Sequence, residues 1–304
     1  MIKSIDLPKV LVAGATGYLG GFVVESLQRK GYPVRALARD PRKLGRRRQL
    51  CEEVVVAEAT RPDTLSDLAG GAKVLFSCLG KHDFKRKPTV WEVDFQANMN
   101  LLEASRAQGV EHVVFVSVVN GPLLRRRGIE TAEARESVVD AIEASGLTWT
   151  ILRPSGFFND MEDFFKMAVK GTGWVIGDGS APMSPIHGAD LAEFVVDKMG
   201  DPGARGCAFD VGGPDTLTYD EIMGLAFKAL GKPPKLRRVP NWVITSGAAL
   251  TALFNPMVAD LIRAIYAMST EGASAPNYGH HHLADFFSSL AAGRKADGSG
   301  PGRA

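Results

Sequence analysis

Short apolar runs alternate with amphipathic stretches through the first half of the chain. Residues 9–13, 33–38, 53–57, 73–77, 112–117 and 148–152 are short, rich in valine and bounded by turn residues, which predicts strands. Between them, 18–30, 62–68, 89–108 and 130–145 are predicted as helices. In the last, Val138 and Ile142 share a face and Gly146 supplies the stop. Strands and helices alternating in this way imply an α/β fold, a doubly wound parallel sheet with helices on both faces. The pattern changes after Arg153-Pro154. Turns become frequent, a proline-bearing segment appears at 232–234, and strand signals are confined to stretches such as 173–176 and 207–211. A helix over 189–199 is expected to return to the sheet. The expected organisation is therefore a domain over 1–154 with 186–212 returning to it, a smaller C-terminal substrate lobe from 155–185 and 213–291, and a Gly-rich, disordered tail at 292–304.

The first strand runs into a glycine turn, KVLVAGATGYLG at residues 9–20, and then into a helix. Gly14 allows a sharp turn, Gly17 lets backbone approach a phosphate, and Gly20 lets the helix pack on its strand. Strand, turn and helix in that order are the context a Rossmann-type dinucleotide site requires. The second strand ends at Ala38 and is followed by Arg39, where sites selective for NAD carry a carboxylate for the ribose 2′-hydroxyl. A guanidinium there suits a 2′-phosphate, with Arg42 and Lys43 in reach, so the reading favours NADP(H) over NAD(H). Asp40 is the alternative, as a ribose carboxylate if Arg39 points away. Ser77, Cys78, Leu79 and Gly80 after the fourth strand, and Ser117 and Val118 at the end of the fifth, are expected to line the rest of the cofactor. Cys78 is read as a small neighbour rather than a nucleophile, since no partner base is evident.

With 304 residues and 45% apolar composition the chain can bury a sizeable core. A net charge of +2 gives no electrostatic reason for a nucleic-acid partner. Arg125-Arg126-Arg127 is read as a solvated loop. Cys51, Cys78 and Cys207 form no pairing framework, and the first residues lack an apolar signal core, so a cytoplasmic protein is expected. The stretch 242–254 is the nearest to a membrane span but too short; a buried or amphipathic helix is favoured over contact with a membrane surface. His280-His281-His282 is read as a capping or solvated stretch and no metal site is assigned, because consecutive side chains point apart.

GATGYLG, ARDPRK after the second strand, VFVSVVNG and SGLTWTILRPSGFFNDM together resemble the atypical, extended branch of the short-chain dehydrogenase/reductase superfamily, its NmrA-like NAD(P)-binding proteins in particular. Pro185-Ile186-His187, Asp190-Leu191-Ala192, VGGPDTLTYDEI and Leu283-Ala284-Asp285-Phe286-Phe287 are similar to divinyl chlorophyllide 8-vinyl reductases and their relatives. The resemblance implies that Gly14, Thr16, Gly17, Tyr18 and Leu19 contact the pyrophosphate and Arg39 the 2′-phosphate. It puts Arg153, Pro154, Ser155, Phe157 and Phe158 near nicotinamide and substrate. Relatives often carry an Asp after the third strand for adenine; here the residues are Glu58-Ala59-Thr60.

Typical members of the superfamily use a Tyr-x-x-x-Lys pair on the helix after the fifth strand. Here Thr131 and Arg135 align with those positions. A threonine is a poor general acid and an arginine stays protonated, so the phenol mechanism is not expected. Two readings remain. One is an NADP(H)-dependent oxidoreductase that reduces an apolar, conjugated or quinone-like small molecule, with Arg135, His187 and Asn159 as catalytic candidates. The other is a redox-sensing or assembly protein that binds NADP(H) without turnover. Phe157, Phe158, Phe164, Phe165 and Trp174 are open to two readings, as a flat apolar pocket or as core packing.

Overall fold

The computed structural model describes residues 7–81 and 85–297. The chain divides into two compact units, residues 1–153 with 191–209, and residues 154–190 with 210–304.

In the first unit, β1 (Val10–Ala13), β2 (Val34–Ala38), β3 (Glu53–Val56), β4 (Val74–Ser77), β5 (His112–Val116) and β6 (Thr148–Pro154) follow the predicted apolar runs. Together with β9 (Cys207–Val211) they form a seven-stranded sheet in the order β3-β2-β1-β4-β5-β6-β9. All pairings from β3 to β6 are parallel. The order reverses between β1 and β4, and that switch point is where α/β sheets open a crevice for ligands. Strands β1, β4 and β5 are buried along their whole length, as strands covered on both faces must be.

The helices of this unit are α1 (Tyr18–Arg29), α2 (Ala97–Ala107), α3 (Gly121–Arg126) and α4 (Glu130–Ala144). Two predicted helices differ. Residues 62–68 form only one 3-10 turn at Pro62–Thr64, closed by the Leu65 amide donating to the Pro62 carbonyl at 3.0 Å. The predicted helix at 89–108 starts with a π-helical stretch, Trp91–Gln96, before α2. Thr89 and Glu92 cap that start: the Glu92 amide donates to Thr89 Oγ1 at 3.2 Å and the Thr89 amide to Glu92 at 2.6 Å. The arginines at 125–127 end the short helix α3 rather than lying in an open loop.

The second unit contains α5 (Phe158–Val169), β7 (Gly173–Ile176), β8 (Pro182–Met183), α6 (Gly188–Gly200, shared with the first unit), β10 (Leu217–Thr218), α7 (Tyr219–Ala229), β11 (Leu236–Val239), α8 (Asn241–Ala252), α9 (Pro256–Glu271) and α10 (Leu283–Asp297). Helix α5 is absent from the predicted elements although Phe158, Met161, Phe165 and Ala168 make a buried stripe at helical spacing. Phe158 packs on Phe286 and Phe165 on Phe287, so these phenylalanines are core. Trp174 is 52% exposed on β7. The expected tail at 292–304 is corrected in part: α10 runs through Asp297, and 298–304 lie outside the described residues. Of the buried or amphipathic helix expected at 242–254, the structure shows a helix, α8, in which only Ala248 is buried. Among the described residues no helix is long and apolar enough to cross a membrane.

Candidate functional site

The turn between β1 and α1 is built by its glycines. Gly14 has φ +95°, and a Cβ there would lie 2.8 Å from the Cys78 sulfur. The Gly17 amide donates to the Gly14 carbonyl at 2.9 Å, closing the turn. A Cβ on Gly20 would sit 2.0 Å from that same carbonyl oxygen, so only hydrogen fits. The first amides of α1 therefore face the end of β1, where an anion is favoured by the helix dipole. Thr16 is exposed and Tyr18 half-buried with its ring edge-on to Phe22, whereas Leu19 is buried.

At the end of β2, Arg39 is 72% exposed and its Nη1 lies 3.3 Å from Glu58. Both Asp40 carboxylate oxygens are engaged by Arg42: Oδ1 accepts from Nε at 2.9 Å and from the Arg42 amide at 3.1 Å, and Oδ2 from Nη2 at 3.0 Å. Those contacts hold the Asp40 carboxyl below its usual range. Beyond β2, Arg39 is held by one contact to Glu58 and Asp40 by three to Arg42, so the guanidinium is the less constrained of the two.

The ends of β4 and β5 are tied together by a buried polar network. Ser77 Oγ donates to Asn98 Oδ1 at 2.6 Å, and Asn98 Nδ2 donates to the Asp94 carbonyl at 2.8 Å. The Asp94 carboxylate accepts the Lys81 amide at 3.0 Å on Oδ2 and pairs through Oδ1 with Arg135 at 2.9 Å. That ionic contact supplies Oδ1 with charge but not with a well-aligned hydrogen bond. Arg135 Nη1 donates to the Val116 carbonyl at 2.8 Å. Between these groups the guanidinium passes over Gly80, where a Cβ would lie 1.9 Å from Nη2. Burial pushes the Cys78 thiol up to about 12, partly offset by the Arg135 charge, which fits a neighbour and not a nucleophile. A second network uses Glu136: it accepts from Ser117 Oγ at 2.6 Å and pairs with Arg153 at 2.8 Å. A Cβ on Gly121 would sit 2.2 Å from its Oε1.

The first unit therefore brings together Gly14, Gly17, Cys78, Gly80, Ser77 and Arg135 around the strand ends, with Leu79 accepting from Asn98 at 3.3 Å and Val118 at the close of β5. Asp94 and Glu136 were missed by sequence reasoning. An acid flanked by Val93 and Phe95, and an acid beside Arg135, were the signals that could have found them.

The remaining candidates belong to the second unit. Pro154 ends β6, Ser155 is buried with its hydroxyl donating to the Ser184 carbonyl, and Phe157 precedes α5. Asn159 Nδ2 donates to Asp160 at 3.2 Å, and its Oδ1 is buried without a hydrogen-bond partner. The His187 Nδ1 accepts the Ala189 amide at 3.2 Å, which puts the proton of the neutral ring on Nε2. Its ring stacks on His281 with centroids 4.3 Å apart, and burial, followed by the His281 charge, lowers its pKa.

His281 itself is bound to Asp190, which is fully buried. Asp190 Oδ2 accepts the amides of His280 and His281 at 3.0 and 2.9 Å, and Oδ1 accepts His281 Nδ1 at 2.6 Å. Burial opposes the charge, but these donors hold the carboxyl below its usual range. Asp190, His280 and His281 lie close enough to be considered as metal ligands. The 2.6 Å contact is a hydrogen bond, shorter than the roughly 3.3 Å between two ligands on one tetrahedral zinc.

Residues 14–202 match the model of the NAD(P)H-binding family. A chloroplastic divinyl chlorophyllide a 8-vinyl-reductase of Oryza sativa subsp. indica is 34% identical over 252 residues, covering 77% of this chain and 62% of that protein. Its counterpart in Arabidopsis thaliana is 30% identical over 296 residues, covering 91% and 68%. The chain thus spans 62% of the length of the first of these relatives. A crystal structure of an NADPH-dependent quinone oxidoreductase from Escherichia coli, complexed with NADPH, shares the fold with a TM-score of 0.74 at 18% identity, covering 92% of this chain and 99% of that one. The chain belongs to the NAD(P)H-binding family.

Proposed function

We propose that the protein is an NADP(H)-dependent reductase of an apolar, conjugated small molecule. The observation that carries the reading is the glycine turn at the mouth of α1: a Cβ at Gly14 or Gly20 would meet another atom at 2.8 or 2.0 Å, and one at Gly17 would press the Gly14 carbonyl at 3.2 Å. Selectivity for the 2′-phosphate rests on Arg39, since Asp40 is committed to Arg42. Gly14, Thr16, Gly17, Tyr18 and Leu19 would hold the pyrophosphate, and Ser77, Cys78, Leu79, Gly80, Ser117 and Val118 would follow the cofactor along the strand ends. Pro154, Ser155 and Phe157 are proposed to complete the nicotinamide side.

When bound, the reduced nicotinamide supplies a hydride. The chain's own residues do the rest. Arg135 is fixed by Asp94 and the Val116 carbonyl and offers donors but no acceptor. It orients the ribose and stabilises negative charge developing on the acceptor. With no phenol at this position, the proton that follows the hydride comes from water, so an activated alkene or a quinone suits the site. The vinyl reductases named above support the alkene class. His187, neutral with its proton on Nε2, and Asn159 are the proposed polar contacts to substrate. The three cysteines are free, in keeping with a reducing, cytoplasmic setting.

Titration calorimetry with NADPH and NADH, followed by stopped-flow oxidation of NADPH against quinones and vinyl-substituted tetrapyrroles, tests the reading. Tight NADPH binding and faster NADPH oxidation with at least one acceptor are expected. Absence of nucleotide binding would overturn it.

A further inference from the structure

Among the described residues nine large apolar side chains are exposed, and seven of them lie between Trp242 and Ile265. Trp242, Leu253 and Phe254 are each at least 70% exposed, and Val243, Leu250, Leu261 and Ile265 accompany them. Helix α8 has no charged residue, packs against α9, and buries only Ala248. Isolated exposed apolar residues need no explanation, but a concentration of this kind on one helical hairpin marks a contact surface.

The charge pattern along this stretch of sequence is one-sided, with Arg238 alone of its basic residues paired, among the described residues, to an acid outside it, Asp220. From Ile222 through Ala259 there is no aspartate or glutamate, while Lys228, Lys232, Lys235, Arg237 and Arg238 fall within the same stretch. The next acid, Asp260, is buried. Arg237 pairs in register with Trp174 across β11 and β7 and lies over its ring at 5.7 Å. Helix α9 touches β7, so this exposed tryptophan and its arginine continue the same surface. Between α8 and α9 is a cleft of about 260 Å3 lined by Ile244, Thr245, Ala248, Ala249, Arg263 and Tyr266, with Arg263 exposed at its rim.

We infer that the α8–α9 hairpin docks on an anionic lipid surface. Leu250, Leu253 and Phe254 enter the boundary between headgroups and acyl chains, Trp242 sits at the headgroup level, and the basic run 232–238 lies over anionic headgroups. A protein partner with a matching apolar groove would bring carboxylates to the rim, but it would not need a charge-free helix with a tryptophan at one end and a basic run ahead of it. The helices are too short to cross, so the attachment is peripheral.

The test is flotation of the purified chain with vesicles of phosphatidylcholine alone and with roughly one third phosphatidylserine added. Binding to the anionic vesicles, release at high salt, and little binding to the neutral ones are expected. Trp242→Ser combined with Leu253→Ser should weaken partition by about tenfold or more, as should Lys235→Glu combined with Arg237→Glu. Circular dichroism and NADPH affinity of these variants should match the parent, because all four side chains are exposed. Failure of the folded parent to bind anionic vesicles overturns the inference, and so does equal binding to neutral ones. A dimer in light scattering that Trp242→Ser converts to monomer would overturn it in favour of contact between copies.

Discussion

The Arg135 guanidinium lies 2.9 Å from the Asp94 carboxylate, where the carboxylate is 1% and the arginine 15% exposed. A buried pair of this kind is worth little over an apolar substitute, but losing one member leaves the other charged without a partner. Asp94→Ala and Arg135→Ala are each expected to lower stability by roughly 3 kcal/mol in urea unfolding. The double variant should lose less than the sum, and strict additivity would show that the two residues act independently.

Arg39→Asp is expected to weaken NADPH binding by about tenfold or more, through loss of a charge-assisted contact and gain of repulsion. NADH binding should change by less than about threefold. Calorimetry with both nucleotides decides it, and equal losses would remove Arg39 from the 2′-phosphate site.

Gly20→Ala would force a Cβ to within 2.0 Å of the Gly14 carbonyl, and backbone on both sides cannot yield as a side-chain tip can. We expect this variant to lose affinity for NADPH and NADH alike and to melt earlier than the parent. Gly224→Ala in α7 meets no atom within 4 Å and serves as the control; it should be neutral or stabilising by up to about 1 kcal/mol.

His112 is buried in β5, and burial lowers its pKa to about 4. Its Nε2 lies 3.0 Å from Thr150 Oγ1, whose proton goes to the Ala204 carbonyl at 3.1 Å, so the neutral ring donates. The unfolded chain takes up this proton near the ordinary histidine value of 6.5. The stability it contributes is therefore complete above about pH 6.5 and is lost as pH falls toward 4, by about 3 kcal/mol in all. His112→Gln should flatten the urea midpoint across that range; an unchanged pH profile would contradict the assignment.

The strands and the glycine turn were legible because each is local: a run such as Val10-Leu11-Val12 and glycines at 14, 17 and 20 specify their own backbone. The pairing of Asp94 with Arg135 was not, since the two are 41 positions apart and meet only when the ends of β4 and β5 lie side by side. Residues 62–68 were expected as a helix, and only Pro62–Thr64 make a turn. Helix α7 carried a readable start in Thr218 and Glu221, which cap it reciprocally, and α5 carried a readable stripe. Exposure of α8 could not be read, because an apolar helix looks the same whether neighbours cover it or not.

The clasp between Asp190 and the amides of His280 and His281 has a consequence for biogenesis. It joins segments 91 positions apart in the second unit, and the later one arrives near the carboxyl end. Until the ribosome has released residue 281, the aspartate has no donors from that stretch and its hollow stays open to water. The second unit therefore cannot lock as it is synthesised, whereas most of the parallel sheet has already emerged. A nascent chain stalled just short of that point would carry a protease-sensitive C-terminal half attached to a largely formed nucleotide domain.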